Sequence, residues 1–532
     1  MAGKWPAQEI IADVFADFDR TKAAVSTGTP LYKRIFEIFE RAIHSGALPA
    51  GQRLPTYREM AGFLTVDRST VLRAYDELSA SGLIYSHVGR GTFVATASMS
   101  GSLSQQDPGD IFEGRYSGYG KELASLNELI DKQPNLAVGK DIISFAAGIP
   151  SRDSYPEGEF ISILKDLVAV ENGGALFDYS PAIGEPALRK LVIEHLGKRD
   201  MFVEDDELMI LSGSQQGIDL MSSLFINPGD RVITEDPTYF WAISNFKARR
   251  AKIVGCPLDE EGIDLTSLEK ALRAGPVKFI YLMPANQNPT GITMSARRRL
   301  DVIELARRYR TPIFEDDFSG DLVYDGKPVE PLRALNQELV VYQGTFSKAL
   351  APGVRLGWLV APRAVIEKLN FAKRGSDLST NSMAQGLLTE FLKRGLYEKH
   401  LAGINSLYGD RLKTMIASLE KAFGNEVSFT RPKGGLFLWL TLPEDLTART
   451  FLEYARREGV TFSPGDICYV DKAGVQKDRT LRLSFIQNDK ARIMEGIERL
   501  ERAYRLYMRE TRSILDSNSS SQPEGHLEHV LI

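Results

Sequence analysis

Lys348 is the residue whose type and position most suggest chemistry. It lies among small residues in the stretch GTFSKALAPGVRLGW (residues 344–358), directly after a run typical of a strand, and Arg355 follows seven positions later. The loops at the carboxyl ends of strands carry function in α/β sheets, and an amine in such a loop can act as a nucleophile. A single lysine is more often solvated, so its interpretation depends on the other loops.

Four further loops supply groups that complement the lysine. The stretch LSGSQQGIDLMSSLF (residues 211–225) begins with small residues and continues as a helix, so backbone amides near its start would face a phosphate group. A phosphate cradle, a stacking ring, an amide, a carboxylate and an amine are the parts of a pyridoxal 5′-phosphate site. The side chains concerned are Ser214 and Gln215 in that stretch, Tyr239 in DPTYF, Asn288 in PANQNPTG, Asp316 or Asp317 in PIFEDDF, and Lys348.

The elements that must position these loops alternate along the chain from about residue 141. The runs KFIYLM, TPIFED and LVVYQG are typical of buried strands, and helical stretches separate them. Strands that alternate with helices predict a mostly parallel α/β sheet. The candidate loops would therefore meet at one edge of a large sheet.

Residues 30–96 indicate a second, separate function. Apolar residues at helical spacing follow Pro30, Thr56 and Glu59 form a T-x-x-E capping box, and Asp67 is a good N-cap for a third helix. The stretch LIYSHVGRGTFV then alternates apolar and polar residues around a Gly-Arg-Gly turn, which predicts a hairpin. This order describes a winged helix-turn-helix, whose last helix enters the major groove of DNA.

Polar side chains on these helices and at the tip of the wing are the candidate contacts to double-stranded DNA. The segment carries eight basic and six acidic residues, an excess of only two, so its affinity for an operator should depend on dimerisation. The candidate residues are Arg58, Arg68, Ser69, Thr70, Arg73 and Arg90.

Composition places the chain among ordinary soluble proteins. Its 532 residues are 43% hydrophobic and 25% charged, with a net charge of −5, so any attraction to nucleic acid must come from a local patch. Cys256 and Cys468 lie far apart, as in proteins of a reducing compartment. There is neither an apolar run of about 18 residues nor a signal-peptide core at the start. We therefore expect a cytoplasmic protein.

The remaining segments are polar. TASMSGSLSQQDPGD predicts a flexible linker, followed by a short helix at KELASLNELI. His526 and His529 form a close pair in a polar tail that we expect to be disordered, and flexible tails preorganise metal ligands poorly, so no metal site is predicted. The expected boundaries are an N-terminal extension at 1–29, a DNA-binding domain at 30–96, a linker at 97–139, a cofactor-binding domain at 140–512 and a tail at 513–532.

Both regions resemble known families. SGALPAGQRLPTYREMAGFLTVDRSTVLRAYDELSASGLIYSHVGRGTFV (residues 45–94) resembles the GntR-type winged helix nearly without gaps. The region from about 140 to 510 resembles the class I and II aminotransferases of fold type I. The fold class implied is therefore multidomain, with an N-terminal winged helix-turn-helix (α+β) and a large α/β aminotransferase-like domain.

The resemblance to aminotransferases implies roles for individual residues. Lys348 would carry the Schiff base to pyridoxal 5′-phosphate, and Asp316 would pair with the pyridine nitrogen and keep it protonated. Asn288 would bond the phenolic oxygen, and Tyr239 would stack on the ring. Asp317 remains the alternative to Asp316 if the strand register slips by one residue.

Other roles follow from the same resemblance. The phosphate group would be held by Ser214, Gln215, Thr345 and Arg355, and by Tyr179 from the partner subunit. Arg482 in LRLSF would bind the carboxylate of an amino acid, although it could instead be a structural arginine paired with an acid. Phe318 stands where this family often has a tyrosine that bonds the phenolic oxygen, which bears on turnover rather than on binding.

A GntR-type winged helix, a linker and an aminotransferase-like domain in one chain resemble the MocR family of bacterial transcription regulators. The resemblance implies a homodimer built on the aminotransferase-like domain, with each winged helix against the partner subunit. It also implies a regulator that senses a small amino compound through an external aldimine at the cofactor. Two alternatives stay open: a working aminotransferase with an appended DNA-binding module, and a regulator whose effector is pyridoxal 5′-phosphate itself.

Overall fold

Two units make up the chain in the structure, a computed structural model. It describes residues 8–16, 18, 30–81, 83–87, 91–95, 115–131, 141–169, 176–471 and 477–519. The first unit spans Met1–Tyr116 and the second spans Ser117–Ile532.

The first unit is a winged helix-turn-helix. Its strands form an antiparallel sheet in the order β1-β3-β2, with Ile84 opposite Val94 and His87 opposite Gly91. This arrangement confirms the predicted helices and hairpin. The elements are α1 (Gln8–Val14), α2 (Leu31–His44), β1 (Arg53–Leu54), α3 (Tyr57–Leu64), α4 (Arg68–Ala80), β2 (Ile84–His87) and β3 (Gly91–Val94).

Local caps fix where the second and third of these predicted helices begin. The Glu59 amide donates to the Thr56 hydroxyl at 3.3 Å, and the Thr56 amide donates to the Glu59 carboxylate at 2.8 Å. The Asp67 carboxylate accepts a hydrogen bond of 2.8 Å from the Ser69 amide. Each cap satisfies amides that the first helical turn leaves without partners, so both predicted helix starts are confirmed.

The helix α1 was not foreseen from the sequence. Ile11, Phe15 and Phe18 are buried and belong to the same apolar core as Ile35 and Phe39 of α2. The rings of Phe15 and Phe39 meet edge to face, with their centroids 4.9 Å apart. Part of the predicted N-terminal extension therefore completes the core of the DNA-binding unit.

The second unit is built on an eight-stranded sheet in the order β5-β12-β11-β10-β9-β6-β7-β8. Neighbours from β11 to β7 run parallel, whereas β12 is antiparallel to both β11 and β5, and β8 is antiparallel to β7. The strands are β5 (Leu208–Leu211), β6 (Arg231–Asp236), β7 (Lys252–Asp259), β8 (Gly262–Ile263), β9 (Ile280–Leu282), β10 (Ile313–Asp317), β11 (Val340–Thr345) and β12 (Gly357–Val360).

A smaller antiparallel sheet, in the order β13-β14-β17-β16, and a parallel pair of β15 with β4 complete the strands. β14 and β17 pair so that Trp439 lies opposite Arg482. This pairing fixes the position of Arg482, which lies late in the chain. The strands are β4 (Ile143–Ser144), β13 (Ser428–Phe429), β14 (Phe437–Thr441), β15 (Val460–Thr461), β16 (Ser463–Pro464) and β17 (Thr480–Ser484).

Helices surround the sheets and bury one apolar face each, as in an α/β fold. This architecture confirms the predicted winged helix-turn-helix and the predicted large α/β domain. The helices are α5 (Gly118–Asp131), α6 (Glu157–Ala169), α7 (Pro186–Gly197), α8 (Ser214–Phe225), α9 (Phe240–Ala248), α10 (Leu265–Arg273), α11 (Ala296–Arg308), α12 (Leu332–Leu335), α13 (Arg363–Ser376), α14 (Ser382–Lys393), α15 (Leu396–Phe423), α16 (Ala448–Arg457) and α17 (Lys490–Ser519).

The short helix predicted after the flexible part of the linker is α5, and it packs on α9. The Arg249 guanidinium lies 4.8 Å from the centre of the Tyr119 ring, and Arg250 pairs with Glu122 at 3.8 Å. A side chain at Gly118 would collide with Arg250. These contacts make the end of the predicted linker part of the second unit.

The tail begins later than predicted. Helix α17 continues to Ser519, so residues 513–519 are helical rather than disordered. The stretch SILDSNS is polar but contains no glycine or proline, and Pro523 comes only after it, so nothing in the sequence stops the helix earlier. His526 and His529 lie outside the described residues.

Both cysteines, Cys256 and Cys468, are buried and unpaired. Within the described ranges no helix is long and apolar enough to cross a membrane.

Candidate functional site

A cavity of about 320 Å³ lies at the carboxyl edge of the large sheet. Loops that follow β6, β9, β10 and β11 supply part of its wall, and β17 and the segment around Gly148 close it from the other side. The structure therefore brings together side chains from segments far apart in the sequence. The predicted residues that line this cavity are Ser214, Tyr239, Asn288, Asp316, Lys348 and Arg482.

Lys348 is partly buried and faces into this cavity. Its Nζ donates a hydrogen bond of 2.8 Å to the backbone carbonyl of Gly148. Burial, together with the positive charges of Arg482 and Arg355, lowers the pKa of Lys348 to about 8. The uncharged amine, which is the nucleophile, is therefore available near neutral pH.

This pKa predicts the pH dependence of cofactor loading. We expect the rate of covalent cofactor uptake by the apo-protein to rise with pH and to level off above about pH 8, because only the uncharged Lys348 amine reacts. The rate is measured by trapping with borohydride at a series of pH values, followed by mass spectrometry of the intact chain. A rate that still climbs steeply towards about pH 10 would show a lysine with an ordinary pKa.

Asp316 is buried in the wall of the same cavity, and one of its oxygens lacks a hydrogen-bond partner among the described residues. The Tyr281 hydroxyl donates a 2.6 Å hydrogen bond to Oδ2 of Asp316. Its Oδ1 atom is buried and has no hydrogen-bond partner among the described residues. Burial raises the pKa of Asp316 to about 6, against the stabilising effects of the Tyr281 hydroxyl and the nearby Gln343 carboxamide, so the carboxylate is ionised at neutral pH. A protonated pyridine nitrogen would fit the free oxygen, and in this respect the site suits pyridoxal 5′-phosphate.

Asp317, the alternative to Asp316, faces away from the cavity. Its carboxylate pairs with Arg199 at 2.6 Å and accepts a hydrogen bond of 2.9 Å from the Tyr342 hydroxyl. Successive side chains of a strand point to opposite faces of the sheet, so only one of the two acids can face the cavity. The side chain that lines the cavity is therefore that of Asp316.

The start of α8 is the place predicted to bind a phosphate group. Its first amides lack partners within the helix, as at every helix start, and Gly213 precedes them with a φ of 91°. A Cβ atom at Gly213 would lie 2.6 Å from the Arg355 guanidinium, so only glycine permits this approach. Arg355 donates to the Ser212 carbonyl at 3.1 Å. An anion at this point would meet both the amides of α8 and Arg355.

Two predicted phosphate ligands are engaged elsewhere. The Thr345 hydroxyl donates to the Leu356 carbonyl at 3.1 Å and accepts from the Ser347 amide at 3.2 Å. The Gln215 side chain accepts a hydrogen bond of 3.4 Å from the Tyr239 hydroxyl and faces a neighbouring groove instead of the cavity. For Gln215, the backbone amide remains the candidate ligand.

Arg482 lies at the far wall of the cavity. Its guanidinium donates to Oδ1 of Asn288 at 2.8 Å and to the Ala146 carbonyl at 2.9 Å, and it lies 4.0 Å from the centre of the Phe437 ring. None of the ion pairs in the part of the chain that the structure describes includes Arg482. The alternative interpretation, a structural arginine paired with an acid, therefore has no acidic partner among the described residues.

Two further predictions concern aromatic residues. Phe318 lines the cavity, so no hydroxyl is available at its position. Tyr179 is 84% exposed and lies outside the cavity of its own chain. Its role at the phosphate group requires a second subunit and stays a prediction.

Sequence reasoning missed two buried groups behind the cavity. Tyr281 lies opposite Phe314 in the sheet, and Asp316 lies two residues further along on the same face. Glu235 accepts hydrogen bonds from the Met283 amide at 3.1 Å and from the Gln287 carboxamide at 3.3 Å, and burial raises its pKa to about 8. Knowledge of the pairing register of β9 and β10 would have predicted that Tyr281 lies close to Asp316.

The candidate DNA contacts lie on α3 and α4. Arg58, Arg68 and Arg73 are exposed, and Thr70 is half-buried. The Arg73 guanidinium lies 4.0 Å from the centre of the Tyr32 ring.

Two candidate DNA contacts remain, Ser69 and Arg90. The Ser69 hydroxyl donates a 2.6 Å hydrogen bond to the Asp67 carboxylate, so it serves the helix cap. Arg90 lies outside the described residues.

The chain matches two known families. Residues 140–500 match the family of class I and II aminotransferases, and residues 31–94 match the gntR family of bacterial regulatory proteins. The first match covers more than half of the chain. The second coincides with the winged helix-turn-helix unit, which is a DNA-binding domain.

Individual proteins show the same two-part likeness. The uncharacterized HTH-type transcriptional regulator YisV of Bacillus subtilis is 31% identical over 82% of this chain and 89% of its own. The probable rhizopine catabolism regulatory protein MocR of Rhizobium meliloti is 27% identical over 82% of this chain and 86% of its own.

A solved structure resembles the second unit. It is LysN, an alpha-aminoadipate aminotransferase of Thermus thermophilus complexed with N-(5′-phosphopyridoxyl)-L-leucine. The TM-score is 0.68 at 32% identity, and the match covers 74% of this chain and 97% of that one. Together with the cavity around Lys348 and Asp316, these findings place the chain in the class I and II aminotransferase family, joined to a GntR-family DNA-binding domain in the MocR-type architecture, with pyridoxal 5′-phosphate as its cofactor.

Proposed function

We propose that this protein is a pyridoxal 5′-phosphate-dependent transcription regulator that binds operator DNA as a homodimer and responds to a small amino compound. One observation carries the proposal: a single chain combines a winged helix-turn-helix with a cavity that holds Lys348, the free Asp316 oxygen and Arg482. The first feature recognises DNA, and the second recognises a primary amine that also bears an anion.

The residues of the chain have distinct tasks toward the cofactor. When bound, the cofactor supplies an aldehyde that reacts reversibly with primary amines. Lys348 would attach it, and Oδ1 of Asp316 would accept a hydrogen bond from the protonated ring nitrogen. Tyr281 holds Asp316 in place through the 2.6 Å hydrogen bond. The start of α8 and Arg355 bind the phosphate group.

The cavity residues that the cofactor does not occupy indicate which chemical groups the effector carries. Its primary amine would replace the Lys348 amine on the cofactor and release the lysine as a free amine. Its carboxylate or sulfonate would bind the Arg482 guanidinium, whose Nε is buried without a partner among the described residues. The Asn288 side chain shares this corner of the cavity. Binding at two points fixes the orientation of the effector.

The homodimer is supported by exposed aromatic residues on the second unit. Phe177 is 71% exposed and Tyr179 is 84% exposed. Arg355 also lines a second cavity of about 1040 Å³, beside apolar residues such as Ile149 and Val354. Large exposed apolar residues around a concave surface are typical of interaction sites. We infer that the partner subunit covers this surface and brings its Tyr179 to the phosphate group.

A working aminotransferase is the second candidate function, because the cavity retains Lys348, Asp316 and Arg482 and because LysN is an aminotransferase of similar fold. Phe318 argues against efficient turnover, since it offers no hydroxyl to the phenolic oxygen. An amino donor mixed with a keto acid distinguishes the two functions: an enzyme converts both compounds repeatedly, whereas a sensor binds the donor once per site.

The proposal as a whole is tested by screening amino compounds against the purified holo-protein, with the visible absorbance of the cofactor and operator affinity followed together. A regulator of this kind changes both signals with the same compound, because linkage makes the two binding events reciprocal. A response of DNA affinity to added cofactor alone would instead identify pyridoxal 5′-phosphate as the effector.

A prediction for the DNA-binding unit follows. Replacing Arg68 or Arg73 with alanine should weaken operator binding strongly and leave the cofactor absorbance unchanged, since both residues are exposed on α4 of the first unit. A lost phosphate contact also lowers the slope of log affinity against log salt concentration by about one unit. Electrophoretic shifts at several salt concentrations measure both effects, and normal operator binding by both variants would exclude α4 as the reading helix.

A further inference from the structure

Leu72 is an exposed apolar residue on the helix that reads DNA. It lies on α4, and 45% of its surface is exposed. Its neighbours Val71 and Ala74, and Leu78 later in the same helix, are fully buried and already form the face that packs on the domain core. Leu72 therefore does not belong to the apolar face that folds the domain.

Leu72 lies in the part of α4 that contacts base edges in helix-turn-helix proteins. It lies one turn after Arg68, within the N-terminal part of α4, and this part of the second helix of a helix-turn-helix contacts bases in the major groove. The hydroxyl of the neighbouring Ser69 is held by the protein itself, since it donates to the Asp67 carboxylate.

The major groove offers few groups that suit a leucine. Its base edges present hydrogen-bond donors and acceptors, and the C5-methyl group of thymine is the apolar group among them. A leucine pressed against a donor or an acceptor would remove that group from water without replacing its hydrogen bond, which is unfavourable. Contact with the methyl group removes apolar surface of both partners from water, which is favourable.

We propose that Leu72 reads the methyl group of a thymine in the operator and so sets the sequence preference at that position. The inference rests on the proposed DNA-binding function and adds to it the identity of one base. Arg68, one turn earlier, supplies the charged contact next to it.

The test removes one methyl group at a time. An operator is first selected from random duplexes with the full-length holo-protein, and each of its thymines is then replaced singly by deoxyuridine, which lacks only the C5-methyl group. We expect one thymine in each half-site at which the replacement weakens binding about fourfold, the effect of one buried methyl group. In the Leu72→Ala variant, the same replacement should have no effect.

A matched control separates this contact from general effects of losing a leucine. Leu300 is 54% exposed on α11 of the second unit, and Leu300→Ala should keep the full sensitivity to deoxyuridine. Alanine is a good helix former, so Leu72→Ala leaves α4 folded.

Two outcomes overturn the inference while the proposed function stands. One is an operator that no thymine replacement weakens, and the other is a Leu72→Ala variant with the sensitivity of the wild type. Failure to select any sequence from the random duplexes would overturn the proposed DNA binding, and the inference with it.

Discussion

We expect the Lys348→Ala variant to lose all covalent attachment of cofactor while remaining folded and able to bind the cofactor weakly. The Lys348 amine is the nucleophile that faces the cavity, and burial lowers its pKa to about 8. The phosphate cradle at the start of α8, Arg355 and the free oxygen of Asp316 are unchanged in the variant. Noncovalent binding therefore persists, but the reaction with the chain does not.

Borohydride reduction followed by mass spectrometry of the intact chain measures this loss directly. Lys327 is exposed, and Lys327→Ala is the control that should incorporate cofactor as the wild type does. Covalent incorporation at the wild-type level in Lys348→Ala would mean that another lysine carries the cofactor. Circular dichroism of both variants verifies that the fold is retained.

The Arg482→Lys variant should keep the cofactor and lose most of its response to an amino acid effector. Lysine preserves the positive charge but not the planar fork that binds a carboxylate with two hydrogen bonds. Charge-assisted hydrogen bonds of this kind contribute about 1.5–3 kcal/mol, which corresponds to roughly ten- to hundredfold in affinity. The fork is set by Asn288, the Ala146 carbonyl and the Phe437 ring, which a lysine cannot contact in the same way.

A titration with the effector, followed through the cofactor absorbance, measures the change. A neutral amine of equal length serves as the control compound, and Arg297→Lys, at an arginine whose side chain is 82% exposed, serves as the control variant. Equal responses of the wild type to the charged and the neutral amine would contradict the assignment of Arg482 to an anionic group.

The DNA-binding unit could be predicted from the sequence because its signals are local. Thr56 with Glu59, and Asp67 with Ser69, cap helices through residues three or two positions apart. The hairpin follows from alternation around one turn. Helix α1 could not be predicted in this way, since its place depends on Phe15 meeting Phe39, a contact between segments that no local pattern links.

In the cofactor site too, some residues could be predicted from local patterns and others only from contacts between distant segments. The positions of Lys348, Asp316 and Asn288 could be predicted because each lies at the end of a strand with a recognisable pattern or just after it, and such strand ends meet at one edge. Sequence alone favoured Asp316 and kept Asp317 as the alternative for a register shifted by one residue, and the ion pair of Asp317 with Arg199 separates them. Tyr281 and Glu235 were missed because they lie within buried strands, where a polar residue is recognised only through its neighbours in the sheet.

Helix α1 has a practical consequence for anyone who isolates the DNA-reading unit. A fragment that begins at Pro30, where the recognisable family pattern starts, would lack Ile11, Phe15 and Phe18 and would open the surface of Phe39 to water. Newly exposed aromatic surface of this kind promotes self-association. We expect such a fragment to precipitate or to form oligomers unrelated to operator binding. A fragment that begins before Gln8 should stay soluble and retain the fold of the DNA-binding unit.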